Sequence, residues 1–234
     1  MLNIKKYTFN LFGENSYLLW DDSRMGVIVD PGCLGEDEVH ELLLYIINHG
    51  IVPRKILLTH GHFDHIYGAQ FLAERLGVKI LMSKADDDLV QNGNIQLTNF
   101  YHMPAAPEGF EYEEVKEGDT VTVGNTIYEV IETPGHTPGG VCYYCREEKI
   151  LLTGDTLFAG TIGRTDSKWG DYDRLILSIM DKLMGLDGDV EVLPGHGPSS
   201  SIGYERTHNP FLQPFNEPDG DIDNEDGLYI RGEI

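Results

Sequence analysis

A chain of 234 residues with 41% hydrophobic content is long enough to bury a full core. Its 39 acids against 17 Lys and Arg leave a net charge of −22, a surface that repels phosphate backbones and anionic lipid, so no nucleic-acid partner and no membrane partner are expected. The first ten residues carry neither a basic n-region nor an apolar h-region, no later run approaches the roughly 18 apolar residues of a membrane span, and three irregularly placed cysteines build no disulfide framework. A cytoplasmic location is the expectation.

Leu2 to Phe9, Tyr17 to Trp20 and Val27 to Val29 read as strands, broken by turns at Gly13-Glu14-Asn15 and Asp21-Asp22-Ser23. Val39, Leu42, Leu43, Ile46 and Ile47 then recur at helical spacing between Glu36-Asp37 and Gly50, which predicts an amphipathic helix with those five on its buried face. Lys55 to Thr59 is a short apolar strand, followed by a His-rich loop, a helix carrying Ile66, Ala69, Leu72 and Leu76, and a strand at Val78 to Met82. Residues 92–109, with Pro104 and Pro107, read as an irregular insertion, and 112–152 as a run of strands turning at Gly118-Asp119 and Gly124-Asn125.

A second helix places Tyr172, Leu175, Ile176, Ile179, Met180 and Leu183 on one face, and Val190 to Leu193 returns as a strand. The fold class is α/β (α+β), with one domain over 1–212 and an acidic tail over 213–234. From Asn216 onward seven acids stand against Arg231, so −6 of the charge belongs to that end and −16 to the rest. In the tail, Asp219, Asp221 and Asp223 imitate the start of a calcium loop, but Asn224 and Ile230 break its sixth and twelfth positions. Cys142 and Cys145 have redox spacing, yet in a strand residues three apart face opposite sides, so they read as two packed thiols.

Chemistry concentrates in Thr59-His60-Gly61-His62-Phe63-Asp64-His65, where four ligand-type side chains follow a strand within six residues. If the chain stays extended, His60, His62 and Asp64 point to one side, and His65 turns in as the next helix begins. His136, Asp155 and His196 each lie just beyond an apolar strand in glycine-bearing turns, where a ligand can be brought to a strand end. His40, His49, His102 and His208 have no ligand-type neighbours at useful spacing and read as ordinary surface or core histidines.

The His-x-His-x-Asp-His run, with a distant His, an Asp and a last His, resembles the metallo-β-lactamase superfamily. That resemblance implies a four-layer αβ/βα sandwich. It implies two divalent metal ions, zinc foremost with iron or manganese as alternatives: His60, His62 and His136 on the first, Asp64, His65 and His196 on the second, and Asp155 bridging. Asp64 and Asp155 are then the carboxylates engaged in catalysis. Two metals sharing one water would lower its pKa from about 15.7 toward neutrality, and the bridging hydroxide would attack a carbonyl. Asp30, after a strand, is expected to hydrogen-bond a ligand histidine, with Thr59 and Thr137 as further candidates.

The segment Thr153-Gly154-Asp155-Thr156-Leu157-Phe158-Ala159-Gly160-Thr161-Ile162-Gly163-Arg164-Thr165-Asp166 looks like the corresponding segment of the glyoxalase II group, hydrolases of S-D-lactoylglutathione and related thioesters. Pro194-Gly195-His196-Gly197-Pro198 and Asn209-Pro210-Phe211-Leu212 are similar to its short single-domain members. The partner is then a small-molecule thioester, with Arg164 at the position that contacts glutathione. The chain departs from the full-length enzymes in lacking their basic C-terminal helical domain: 38 residues follow His196, with an acidic balance. A looser substrate preference is expected. The rival within the resemblance is a persulfide dioxygenase holding one iron on His60, His136 and Asp155. Pocket walls are expected from Phe158 to Trp169, from Tyr101 and His102, and from the Phe12 to Tyr17 loop.

Overall fold

The computed structural model describes residues 1–107 and 109–213; the tail and its three aspartates lie outside the described residues. Polar and apolar residues alternate in β1 (Asn3–Phe9), which buries Tyr7 and Phe9. Its partner β2 (Glu14–Trp20) is covered on both faces and shows no such alternation. Glu14 and Asn15 were expected in a turn but are paired strand residues, opposite Phe9 and Thr8. Their polarity misleads because their partners are distant: the Asn15 amide donates to the carbonyls of Pro194 and Gly197 at 3.0 and 2.9 Å. The turn is 10–13, with Gly13 at φ 66°.

After β3 (Met25–Val29), helix α1 (Gly35–His49) ends at Gly50, whose φ of 61° and N–H bonds to Ile46 and Ile47 close it in a left-handed cap. It buries Leu42 and Ile46 and leans Val39 and Leu43 on the core, whereas Ile47 points outward at 69% exposure. The buried stripe is narrower than the five residues expected. Strand β4 (Val52–Leu57) leads into a single helical turn, α2 (Phe63–Ile66), and α3 (Ala69–Leu76) follows, then β5 (Lys79–Met82). Next, the expected irregular insertion is partly helical: α4 (Asn94–Phe100) continues a wide turn at Leu89–Gly93. Buried Asn94 anchors it through Nδ2 to the Gly61 carbonyl at 2.9 Å, and Gly93 lies directly under the Trp169 ring. Strand β6 (Tyr112–Glu114) completes a sheet ordered β1-β2-β3-β4-β5-β6.

The second sheet starts with β7 (Thr120–Val123), β8 (Thr126–Glu132), β9 (Val141–Cys145) and β10 (Ile150–Gly154). A small hairpin, β11 (Leu157–Phe158) and β12 (Thr161–Ile162), precedes α5 (Tyr172–Ser178), which runs on through a wide turn to Leu183. Leu175, Ile179 and Leu183 of its expected face are buried, while Tyr172, in the first turn, is about half exposed. Strands β13 (Glu191–Pro194) and β14 (Ser200–Ser201), with α6 (Ile202–His208), end the set, giving the order β14-β13-β10-β9-β8-β7.

The cores explain the layering. Leu19, Val27, Val29 and Leu57 of the first sheet meet Tyr128, Val130, Tyr143 and Leu152 of the second in a shared inner core. The opposite face of the first sheet (Leu18, Ile28, Ile56) receives α1 and α3, and that of the second (Tyr144, Leu151, Val192) receives α5 and α6. The result is the four-layer αβ/βα sandwich. Cys145 lies in the inner core and Cys142 in the outer one, on opposite faces as expected, and both thiols are free. No helix among the described residues is long and apolar enough to cross a membrane.

Candidate metal centre

Strand directions bring the chemistry together. β3 and β4 end just before Asp30 and His60, while β8, β10 and β13 end near His136, Asp155 and His196, so parallel strand ends of both sheets open onto one edge. Backbone bonds lock that edge: Asn15 N donates to the Gly195 carbonyl at 2.7 Å, Gly195 N to Gly154 at 2.8 Å, and Val141 N to Thr59 at 2.8 Å. Gly195 has no room for a side chain, since a Cβ there would lie 2.3 Å from Asp155 Oδ1 and 2.7 Å from His65 Cε1.

All seven expected ligand residues converge. The donor atoms of His60, His62 and His136 lie within 4.8 Å of one another, and so do those of Asp64, His65 and His196. Asp155 stands between the triads, its Oδ1 3.4 Å from His65 Nε2 and its Oδ2 3.5 Å from both His136 Nε2 and His196 Nε2. Asp64 Oδ2 is 3.4 Å from His196 Nε2. Asp64 reaches the site differently from the extended geometry expected: the chain turns helical at Phe63, and that single turn projects Asp64 and His65 together.

His60 Nε2 and Asp155 Oδ1 are buried and have no hydrogen-bond partner. Orphaned groups of this kind are costly unless something else coordinates them. Burial holds His60 neutral and depresses His62 to about 3, the form in which imidazole ligates a metal. Burial opposes ionisation of Asp155, but the surrounding histidines, His65 first, overcome it and keep the carboxyl well below the usual range. The His/Asp cluster fits a dinuclear metal site.

The supporting bonds fix which ring nitrogen faces the site. His65 Nδ1 donates to Asp30 Oδ2 at 3.1 Å, and Thr59 binds the same carboxylate through its N–H at 2.7 Å and its hydroxyl at 2.5 Å. With that hydroxyl committed as a donor, His60 Nδ1 at 3.0 Å donates to Thr59 Oγ1, leaving Nε2 free to ligate. Asp30 and Thr59 thus take the expected role. Thr137 does not: its hydroxyl donates to Asp86 Oδ2 at 2.8 Å. His136 Nδ1 donates to the backbone carbonyl of Arg164 at 2.8 Å.

Two carboxylates escape a sequence reading. Asp86, fully buried, accepts from Gly61 N, Thr137 Oγ1 and Gly139 N at 2.8, 2.8 and 2.6 Å, and so clamps the loop of His60 and His62 to that of His136. Burial pushes its carboxyl up. Glu14 is also fully buried, accepts from Ser16 Oγ at 2.9 Å and has Oε1 3.9 Å from His65 Nδ1. Neither has a motif signal; each sits among polar residues that resemble a solvated turn.

A cavity of about 420 Å³ opens over the triads, lined by Phe12, Tyr101, Phe158, Thr161, Arg164 and Ser167 among others. His102 and Trp169, expected in the wall, are not among the lining residues. Arg164 is more than half exposed, ion-paired with Asp166, and donates Nη1 to the Tyr101 hydroxyl at 3.1 Å.

Residues 10–196 match the model of the metallo-beta-lactamase superfamily. The chain is 34% identical over 221 residues, 90% of its length and 98% of the relative's, to the hydroxyacylglutathione hydrolase GloC of Haemophilus influenzae. The crystal structure of TTHA1623 in a di-iron-bound form is similar at 32% identity and TM-score 0.79, over 89% of this chain and all of that one. ETHE1 from Myxococcus xanthus is similar at 27% identity and TM-score 0.71, over 89% and 83%.

Proposed function

From the premise that the chain belongs to the metallo-beta-lactamase superfamily, we propose that it is a binuclear metal-dependent hydrolase of small-molecule thioesters. The observation that carries this reading is the pair of complete triads with the Asp155 carboxylate between them and its Oδ1 buried without a hydrogen-bond partner. In this reading His60, His62 and His136 would hold one metal and Asp64, His65 and His196 the other, with Asp155 placed to serve both. Metals bound there would supply Lewis acidity, lowering the pKa of a water toward neutrality and polarising a carbonyl. Zinc suits the donors, while the di-iron form of TTHA1623 keeps iron open.

The chain's own groups do the positioning. Asp30 retains the proton on His65 Nδ1, and through the Thr59 hydroxyl it fixes the one on His60 Nδ1, so both rings present Nε2 inward. The Arg164 carbonyl does the same for His136. Phe12, Tyr101 and Phe158 give the cavity aromatic walls beside the ligands. The similarity to GloC supports thioester cleavage. The rival expected from the sequence, persulfide oxidation on one iron held by His60, His136 and Asp155, leaves the complete triad of Asp64, His65 and His196 without a task.

The test is elemental analysis of freshly purified protein together with thiol release from S-D-lactoylglutathione. Two metals per chain, with turnover abolished by chelator and by Asp64→Ala, is the expected result. One iron per chain, oxygen uptake on glutathione persulfide and no thioester cleavage would replace this reading with the dioxygenase.

A further inference from the structure

Away from the ligands, the cavity wall presents Phe12, Phe63, Leu97, Tyr101, Phe158 and Ile162 beside the polar Thr161, Arg164 and Ser167. Phe12 stands at its centre, meeting Phe63 edge-on at 5.1 Å and Tyr101 edge-on at 5.2 Å. The sequence neighbours of Phe12 and Tyr101 carry apolar surface outward, with Leu11 87% and Phe100 75% exposed.

Charge points the same way. Arg164 is the one lysine or arginine among the lining residues, and its guanidinium is engaged on both sides: Nε and Nη2 with Asp166 at 2.8 and 3.2 Å, Nη1 with Tyr101. An anionic substrate meets an Arg164 already paired with Asp166, on a chain of net charge −22.

We propose that the thioester cleaved here carries a bulky apolar or aromatic acyl group seated against Phe12, Phe63 and Tyr101, and little negative charge. This rests on the thioester reading. Hydrolysis forms the acyl C–O bond from water and breaks the C–S bond, releasing a carboxylate, a thiol and one proton. Specificity arises because the acyl group leaves water for the aromatic wall, about fourfold in binding per buried methylene.

The experiment compares kcat/KM of the metal-loaded enzyme for N-acetylcysteamine thioesters of D-lactate, hexanoate and phenylacetate, with S-D-lactoylglutathione alongside. Hexanoyl and phenylacetyl should exceed lactoyl by about tenfold or more, and Phe12→Ala should shrink that ratio. Asp166→Asn, which frees Arg164, should raise lactoylglutathione turnover relative to the lactoyl N-acetylcysteamine thioester. A preference for lactoyl, or a ratio indifferent to Phe12→Ala with Asp166→Asn also silent, overturns the acyl assignment and leaves the thioesterase standing. No thiol from any of the four overturns both.

Discussion

Asp155 reaches His65 through Oδ1 and both His136 and His196 through Oδ2, so this one carboxylate touches both triads of the site. Replacing it with alanine should therefore lower the metal content from two per chain to one or none, read by elemental analysis, with kcat/KM down by at least about a hundredfold. Two metals retained in that variant would refute the shared role. Asp30 acts one step back. It accepts from His65 Nδ1, Thr59 N and Thr59 Oγ1, and Asp30→Asn replaces one acceptor oxygen with a donor facing a donor. Metal affinity in competition with a chelator dye should fall about 10–100-fold, with the fold intact by circular dichroism.

Elements, as distinct from single residues, are tied together by Asp86, which stands after β5 and receives donors from the loop after β4 and the loop after β8. Asp86→Ala leaves two backbone N–H groups and one hydroxyl buried without acceptors, at about 1–3 kcal/mol each. The urea midpoint should drop by the equivalent of about 3 kcal/mol or more, whereas a solvated turn residue would move it by less than about 0.5 kcal/mol. Nothing in Ser83-Lys84-Ala85-Asp86-Asp87-Asp88 distinguishes that aspartate from Asp87 and Asp88, because its partners are 25, 51 and 53 residues away. The ligands were legible for the opposite reason: four share one short loop, and each of the other three follows an apolar strand within a glycine turn. Most strands were also legible, since periodicity is local, whereas the layer order came from the family resemblance. What could not be read were elements fixed by distant partners: Glu14 and Asn15 as strand residues, and α4, whose anchor Asn94 looks like a loop residue until it meets the Gly61 carbonyl.

At the scale of the whole molecule, both sheets contribute candidate ligands to one edge, so metal binding there would be linked to the closure of the sandwich. With free metal at about a thousand times its Kd, the stabilisation is about 4 kcal/mol, and stripping it with a chelator should lower Tm by roughly 10 °C in a scanning-fluorimetry experiment. An unchanged Tm would mean that the cluster holds no metal under those conditions. The net charge of −22 acts over a longer range than this local centre. An anionic thioester approaching the cavity meets repulsion from the acidic body before it reaches the ligands, and that repulsion extends about 30 Å at 0.01 M salt but about 3 Å at 1 M. Raising ionic strength from about 0.02 to about 0.5 M should therefore increase kcat/KM for S-D-lactoylglutathione severalfold and leave the neutral lactoyl N-acetylcysteamine thioester nearly flat. A fall with salt for the glutathione thioester would mean that local positive charge, with Arg164 released from Asp166, outweighs the acidic body, and that anions are guided into the site.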